Sequence, residues 1–300
     1  MFNSWFIIAN PSSGKESFSK TWREILKLLT EYKFSYDFAF TKYSKNEIEL
    51  VQNAIKNGYR NIISVGGDGT LHHVVNGIMM QRYVKTSDIT VGVIPIGTGN
   101  DWIKTHNIPK DLRKSIEIIH QKKTFLQDIG VIKSKKYTVY FNNVAGIGYD
   151  AFVVKKLQKL KKLGALSYLI AGLLGMFSYR KSSFVISFND QKIKTNCLMT
   201  VFGICRYSGG GMQFTKNVNP NNGLLNISVV SDFSILDLIL NLPKLYNGKI
   251  VNHKKVQTFT SKTVTVYTND QTILCQADGE LLGSGNVEVS IISNALCFLK

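Results

Sequence analysis

The run Val65, Gly66, Gly67, Asp68, Gly69, Thr70 limits what this chain can fold into more than any other stretch. It follows Ile62, Ile63 and Ser64, an apolar run with the length and composition of a buried strand. It precedes Leu71, Val74, Val75, Ile78 and Met79, whose spacing of three and four puts five apolar residues on one helical face. A strand therefore ends, a tight turn forms and a helix begins within a few residues. Such a turn aims backbone N–H groups and a helix N-terminus at one spot, which suits an anion such as phosphate. Glycine serves here because a Cβ would hold the backbone away from phosphate oxygens. Asp68 is the odd member, since a carboxylate repels phosphate unless a divalent cation lies between them or the carboxylate is protonated. The loop asks for phosphate together with Mg2+, and a nucleoside triphosphate is the simplest ligand that offers both.

The flanking sequence repeats this unit. Residues 4–10 read as a buried strand that ends in the turn Asn10, Pro11, Ser12, Ser13, Gly14. Phe18, Trp22, Ile25, Leu26 and Leu29 have helical spacing, and Phe34, Tyr36, Phe38 and Phe40 alternate as a strand with one buried face. Ile48, Val51, Ala54 and Ile55 form the next helix, stopped by Gly58. After the glycine loop, residues 89–95 form another strand ending in Ile96, Gly97, Thr98, Gly99, Asn100, Asp101, and Leu112, Ile116 and Ile119 a further helix. Alternation of this kind predicts an open, largely parallel, Rossmann-like α/β domain over residues 1–124. In such sheets ligands sit beyond the carboxyl ends of the strands, where all three polar glycine loops lie. From residue 125 to 300 the texture changes to strand-like runs (137–141, 184–188, 198–204, 224–230, 263–267 and 287–292) broken by helical stretches near 150–178 and 234–248. That pattern predicts a mainly-β sandwich domain, with the last strand free to return to the first domain.

Bulk composition excludes several classes. With 44% hydrophobic residues and five prolines in 300, the chain has material for two packed cores and no disordered tract. No charged and apolar leader opens it, which predicts a cytoplasmic protein, and Cys197, Cys205, Cys275 and Cys297 lack metal spacing and read as reduced thiols. The net charge of +17 implies an acidic partner. Only six of the 37 basic residues are arginine, which argues against specific nucleic-acid readout and for diffuse attraction to an anionic membrane. Lys155, Lys156, Lys159, Lys161 and Lys162 precede an apolar run at 163–177 that is shorter than the roughly 20 residues needed to span a bilayer. This stretch is read either as a peripheral membrane contact or as a packed helix behind solvated lysines.

No Walker A pattern is present. Gly146, Gly148 and Ala151 match G-x-G-x-x-A, but no acid follows about twenty residues on, so they read as a tight structural turn. The adjacent His72 and His73 have no metal-ligand spacing and read as helix surface or supporting residues. Asp278, Gly279 and Glu280 follow a strand at 272–276; they read either as a surface hairpin or as a general base for an acceptor hydroxyl.

The ordered set of Asn10 to Gly14, Gly66 to Thr70, Gly97 to Asp101, Asn143 to Ala151 and Asp278 to Glu280 resembles the diacylglycerol-kinase-type lipid kinase family, most closely its bacterial soluble members. The resemblance covers essentially the whole chain and implies a nucleotide-binding α/β domain and a β-sandwich domain with the active site in the cleft between them. It implies an ATP- and Mg2+-dependent kinase that phosphorylates a lipid hydroxyl, diacylglycerol or a related lipid, in phospholipid metabolism at the inner membrane face. By the same resemblance ATP contacts Asn10, Pro11, Ser12, Ser13, Gly14, Thr41, Gly66, Gly67, Asp68, Gly69, Thr70, Leu71, His72, His73 and Thr98. Asp68 and Asp101 lie near the metal, with Asp128 in the polar network behind them. Glu280 matches the proton acceptor, with Asp278 two residues before it, and the sequence leaves open which of the two abstracts the proton. A structural Mg2+ site in the family maps to Asn219, Asn222 and the backbone of Leu224; Asn222 replaces an aspartate and brings no charge, which predicts a weak or empty site. Two alternatives stay open, an NAD kinase-like enzyme and a non-catalytic nucleotide or membrane sensor. The oligomeric state is open too, a homodimer included.

Overall fold

The structure is a computed structural model that describes residues 4–14, 17–157, 175 and 178–300. Lys159, Lys161, Lys162 and most of the apolar run after them lie outside the described residues. The chain divides into two compact units, residues 1–127 with 294–300, and residues 128–293.

The first unit alternates strand and helix: β1 (Trp5–Ala9), α1 (Phe18–Glu31), β2 (Tyr36–Phe40), α2 (Asn46–Lys56), β3 (Asn61–Gly66), α3 (Asp68–Met80), β4 (Thr90–Pro95), α4 (Asp101–Thr105) and α5 (Leu112–Gln121). Its sheet runs β2-β1-β3-β4, every pair parallel. Parallel strands are buried on both faces, so Ile7, Ile63, Val65 and Ile94 meet Ile25, Leu29, Ile116 and Ile119 in one core. The alternating aromatics at 34–40 do form β2, but as the edge strand, which leaves Phe38 exposed beside Trp22. The end of the chain returns to this sheet, with Cys297 and Phe298 pairing parallel to Thr90 and Val91.

From β5 (Thr124–Lys133) onward the elements are β6 (Thr138–Phe141), β7 (Val144–Gly148), α6 (Tyr149–Leu157), β8 (Ser182–Phe188), β9 (Gln191–Gly203), β10 (Leu225–Ser231), α7 (Ile235–Tyr246), β11 (Val256–Ser261), β12 (Thr263–Thr268), β13 (Leu274–Ala277), β14 (Glu280–Ser284) and β15 (Val287–Leu299). They build the C-terminal β-sandwich. Its long strand β9 pairs with β8 through residues 191–197 and lies between β7 and β10 through residues 199–203. Antiparallel β14-β13-β7 completes one edge. The segment around Gly146 and Gly148 is not a turn, as its glycines suggest, but the fully buried strand β7. Gly146 is needed there because a Cβ would stand 1.8 Å from Asp150 Oδ2, the carboxylate that opens α6 and packs beneath the strand. Among the described residues no helix is long and apolar enough to cross a membrane.

Candidate active site

The three glycine loops of the first unit leave the carboxyl ends of its strands. The Asn10 N–H donates to Val65 O at 3.0 Å and the Thr41 N–H to Ala9 O at 3.0 Å, while Gly66 O accepts from the Ile96 and Gly97 N–H groups. Gly67 and Gly97 pack backbone to backbone; a Cβ on Gly97 would stand 2.4 Å from Gly67 Cα. Asp68 explains part of its own oddity: Oδ1 accepts the Trp102 N–H at 3.1 Å, satisfying an otherwise orphaned donor in the first turn of α4. It ties one glycine loop to the other. Trp102, buried, donates Nε1–H to Gln127 Oε1 at 2.9 Å and fixes α4 from the far side. Asp101 points its carboxylate at Lys104 Nζ, 2.6 Å away.

Asn10 is the joint of the first two glycine loops. Its Oδ1 accepts the Ser12 N–H at 2.9 Å, an Asx turn that shapes residues 10–14. Its Nδ2 donates to Thr70 Oγ1 at 3.2 Å and to Glu47 Oε1 at 3.3 Å. Glu47, a buried carboxylate in the first turn of α2, also faces His73 Nδ1 at 3.5 Å, and the buried His73 Nε2 has no hydrogen-bond partner among the described residues. Sequence reasoning missed Glu47 because 37 residues separate it from Asn10; an acid on α2 carries no local signal of contact with the loop. Leu71 and His72 turn into the protein, where the His72 ring lies 3.3 Å from Asn76 Nδ2. Beside the loops lies a polar pocket of about 380 Å³ lined by Ser13, Gly14, Gly97, Thr98, Glu24 and Lys110. Lys110 and Glu24 are further residues that no sequence motif marked.

The second unit resolves two neighbouring acids into different roles. Asp278 and Gly279, both at positive φ (+50° and +84°), form the two-residue turn between β13 and β14. The Asp278 carboxylate accepts the N–H groups of Asn142, Asn143 and Val144, each at 3.0 Å. It is occupied as a structural anchor. Glu280, half-buried at the start of β14, has no side-chain hydrogen-bond partner among the described residues. Gln276 links this turn to α6: its Oε1 accepts the Gly279 N–H at 2.9 Å and its Nε2 donates to Asp150 Oδ2 at 2.9 Å. Asp150 Oδ1 is buried without a hydrogen-bond partner among the described residues, and burial, partly offset by Gln276 and by the backbone N–H groups of Ala151 and Asp150, pushes the carboxyl up to about 6. Asp150 and Gln276 form a polar end of a cavity of about 100 Å³ whose other walls are mostly apolar, among them Val144, Leu198, Met199, Phe233 and Leu242.

The turn at 219–224 holds itself together. Asn222 Oδ1 accepts the Leu224 N–H at 3.1 Å, Asn219 Oδ1 accepts the Asn221 N–H, and buried Asp128 accepts the Gly223 N–H at 2.6 Å. Protein donors thus engage the side-chain oxygens of Asn219 and Asn222, two of the three residues that the resemblance assigned to a structural cation. Among the described residues no three His, Cys, Asp or Glu side chains gather as a metal site. Two carboxylates, Asp68 and Asp101, stand at the first positions of α3 and α4, directly after glycine loops, and Mg2+ commonly takes one or two carboxylates with phosphates and waters.

The first unit thus gathers three glycine loops at its strand ends, and the second is a sandwich with a largely apolar cavity. Residues 4–132 match the diacylglycerol kinase catalytic domain, and residues 143–300 match the YegS C-terminal NAD kinase beta sandwich-like domain. A diacylglycerol kinase of Staphylococcus carnosus is 28% identical over 279 residues, covering 92% of this chain and 88% of its own length. One from Bacillus subtilis is 25% identical over 92% of this chain and 89% of its own. Among solved structures, a diacylglycerol kinase of Bacillus anthracis superposes with a TM-score of 0.80 at 21% identity, over 99% of this chain and 96% of that one. Yeast NADH kinase shares the fold more distantly, with a TM-score of 0.54 and 10% identity over 99% of this chain and 83% of that one. The chain belongs to the diacylglycerol kinase-type family of lipid kinases and is a phosphotransferase with an alcohol group as acceptor.

Proposed function

We propose that the protein transfers the γ-phosphoryl group of ATP to the hydroxyl of diacylglycerol or a closely related lipid at an anionic membrane surface. The observation that carries this reading is the link through Gln276, which joins the polar end of an apolar cavity at Asp150 to the turn that bears Glu280. The apolar lining of this cavity with its polar end suits part of an amphiphile near its hydroxyl; it does not suit a dinucleotide, which is polar throughout. This favours a lipid over NAD as acceptor. The named substrate of the Staphylococcus and Bacillus relatives supports the same choice.

In the first unit the backbone N–H groups of Gly67, Gly69 and Thr70, at the start of α3, hold phosphate oxygens, and the pocket at Ser13, Thr98 and Lys110 takes the rest of the nucleotide. Asp68 and Asp101 would hold Mg2+ carried by the nucleotide; bound there it neutralises charge on the phosphate oxygens. Glu280 accepts the proton of the lipid hydroxyl as its oxygen attacks phosphorus and the bond to ADP breaks. Asp278 keeps the turn in place and does not take the proton.

The test is phosphate transfer from ATP in mixed micelles of diacylglycerol, with phosphatidylglycerol, a long-chain base and NAD as competing acceptors. Transfer to a lipid is expected. Phosphorylation of NAD alone, or ATP binding without transfer to any acceptor, would overturn the proposal.

A further inference from the structure

Helix α7 is apolar on two opposite faces. Leu238, Leu242 and Leu245 turn inward and line the cavity described above. Leu236, Ile239 and Leu240 turn outward, with 63%, 47% and 67% of their surface exposed, and Tyr246 extends that face at the helix end. Only Asp237, Asn241 and Lys244 interrupt the apolar sequence, and two of them serve the helix itself. Asp237 completes a capping box with Ser234, and Asn241 Nδ2 donates to Asp237 O at 2.7 Å. A helix apolar all round belongs in a core or against lipid, and two adjacent exposed leucines on a helix surface call for a partner. Twelve residues are too few to span a bilayer, so the helix can only lie along its surface.

Charge identifies the partner. Lys244, Lys249 and Lys254 are exposed at the C-terminal end of the helix and just beyond it, without a carboxylate partner among the described residues; Lys255 pairs with Asp237 at 2.6 Å. Lys244 and Lys254, with Lys255, lie near His253: burial first, then these three lysines, hold its imidazole below the ordinary range against the opposing pull of Asp237. An apolar stripe next to a lysine cluster, on a chain of net charge +17, complements a surface that is apolar inside and anionic outside.

We infer that the outer face of α7, through Leu236, Ile239 and Leu240 flanked by Lys244, Lys249 and Lys254, docks the protein onto an anionic lipid bilayer. One helix then contacts the membrane on one side and the lipid cavity on the other. This deepens the proposed function and rests on it for the membrane as the working surface.

The experiment is flotation of the full chain with vesicles of phosphatidylcholine alone and of phosphatidylcholine with phosphatidylglycerol at about three to one. The wild type should float with the anionic vesicles and far less with the neutral ones. Leu236→Ser with Leu240→Ser, at exposed positions outside the cavity, should lower binding by about ten- to a hundredfold, with an unchanged melting temperature and unchanged turnover of a short-chain diacylglycerol in detergent micelles. Lys244→Gln with Lys254→Gln should weaken binding to anionic vesicles and leave the neutral background as it was. Wild-type binding that survives the leucine substitutions, or no wild-type binding at all, would overturn the inference. So would sedimentation showing a wild-type dimer that the leucine substitutions dissociate while vesicle binding is kept, because a second copy would then cover the face. Flotation with no lipid turnover would instead leave docking in place and remove the kinase reading.

Discussion

Asp278 and Glu280 lie on one tight turn, yet their hydrogen bonds assign them different work. Asp278 accepts three backbone N–H groups, and Asp278→Ala leaves those donors unpaired, which should lower stability by about 2–4 kcal/mol. Urea unfolding measures that loss. Glu280→Gln keeps shape and loses the basic group, so kcat should fall by about 10²–10⁴ with the urea midpoint unchanged. Asp150 gives a pH signature. Its folded carboxyl, pushed up to about 6 from 3.8, binds more protons than the unfolded one between those values, so its ionisation costs stability as pH rises through that window. The penalty is absent below about pH 4 and complete above about pH 6, reaching about 3 kcal/mol. Asp150→Asn should therefore raise the melting temperature relative to wild type at about pH 8 and much less at about pH 4.5; an equal gain at both would contradict the burial argument. Glu47 is a positioning residue for Asn10, and Glu47→Ala should raise KM for ATP more than it lowers kcat. Of these residues the sequence exposed the glycine-loop members and the acid pair. It could not divide the pair, since the three donors to Asp278 come from residues 142–144, nor could it find Glu47 or the Gln276 link, which exist only once distant segments meet.

At the scale of elements, the strand–turn–helix units were the readable part, because apolar runs of strand length and helical spacing of three and four survive in any context. The exceptions have local causes. β7 reads as a turn because of Gly146 and Gly148, yet glycine there makes room for the Asp150 carboxylate under a buried strand. β2 shows the alternation of a half-buried strand but sits at the sheet edge, where Phe38 is left in solvent. β9 changes partners midway, which no periodicity encodes. The junction of the two glycine loops is tightly built: Gly97→Ala would press a methyl group within 2.4 Å of Gly67 Cα and part the loops. ATP binding, measured by calorimetry, should fall at least about tenfold, in line with the loss of well-placed backbone donors, while the sandwich keeps its lipid affinity.

At the scale of the molecule, each unit has its own hydrophobic core and its own chemistry. The first offers backbone donors, Asp68 and a polar pocket; the second offers a cavity with one buried acid, Asp150, and a turn that bears Glu280. Such a division suits transfer between a water-soluble donor and a lipid acceptor, and the excess of lysine over arginine suits a chain drawn to an anionic surface rather than reading a nucleic acid. The central claim is ATP-dependent phosphorylation of a lipid hydroxyl with Glu280 as the base. Its most direct measurement follows γ-labelled phosphate from ATP into the lipid extract of diacylglycerol micelles, for wild type and for Glu280→Gln in parallel. The account predicts Mg2+-dependent label in phosphorylated lipid for the wild type and at least about a hundredfold less for the variant. Label confined to free phosphate or to a dinucleotide, or full transfer by Glu280→Gln, would contradict it.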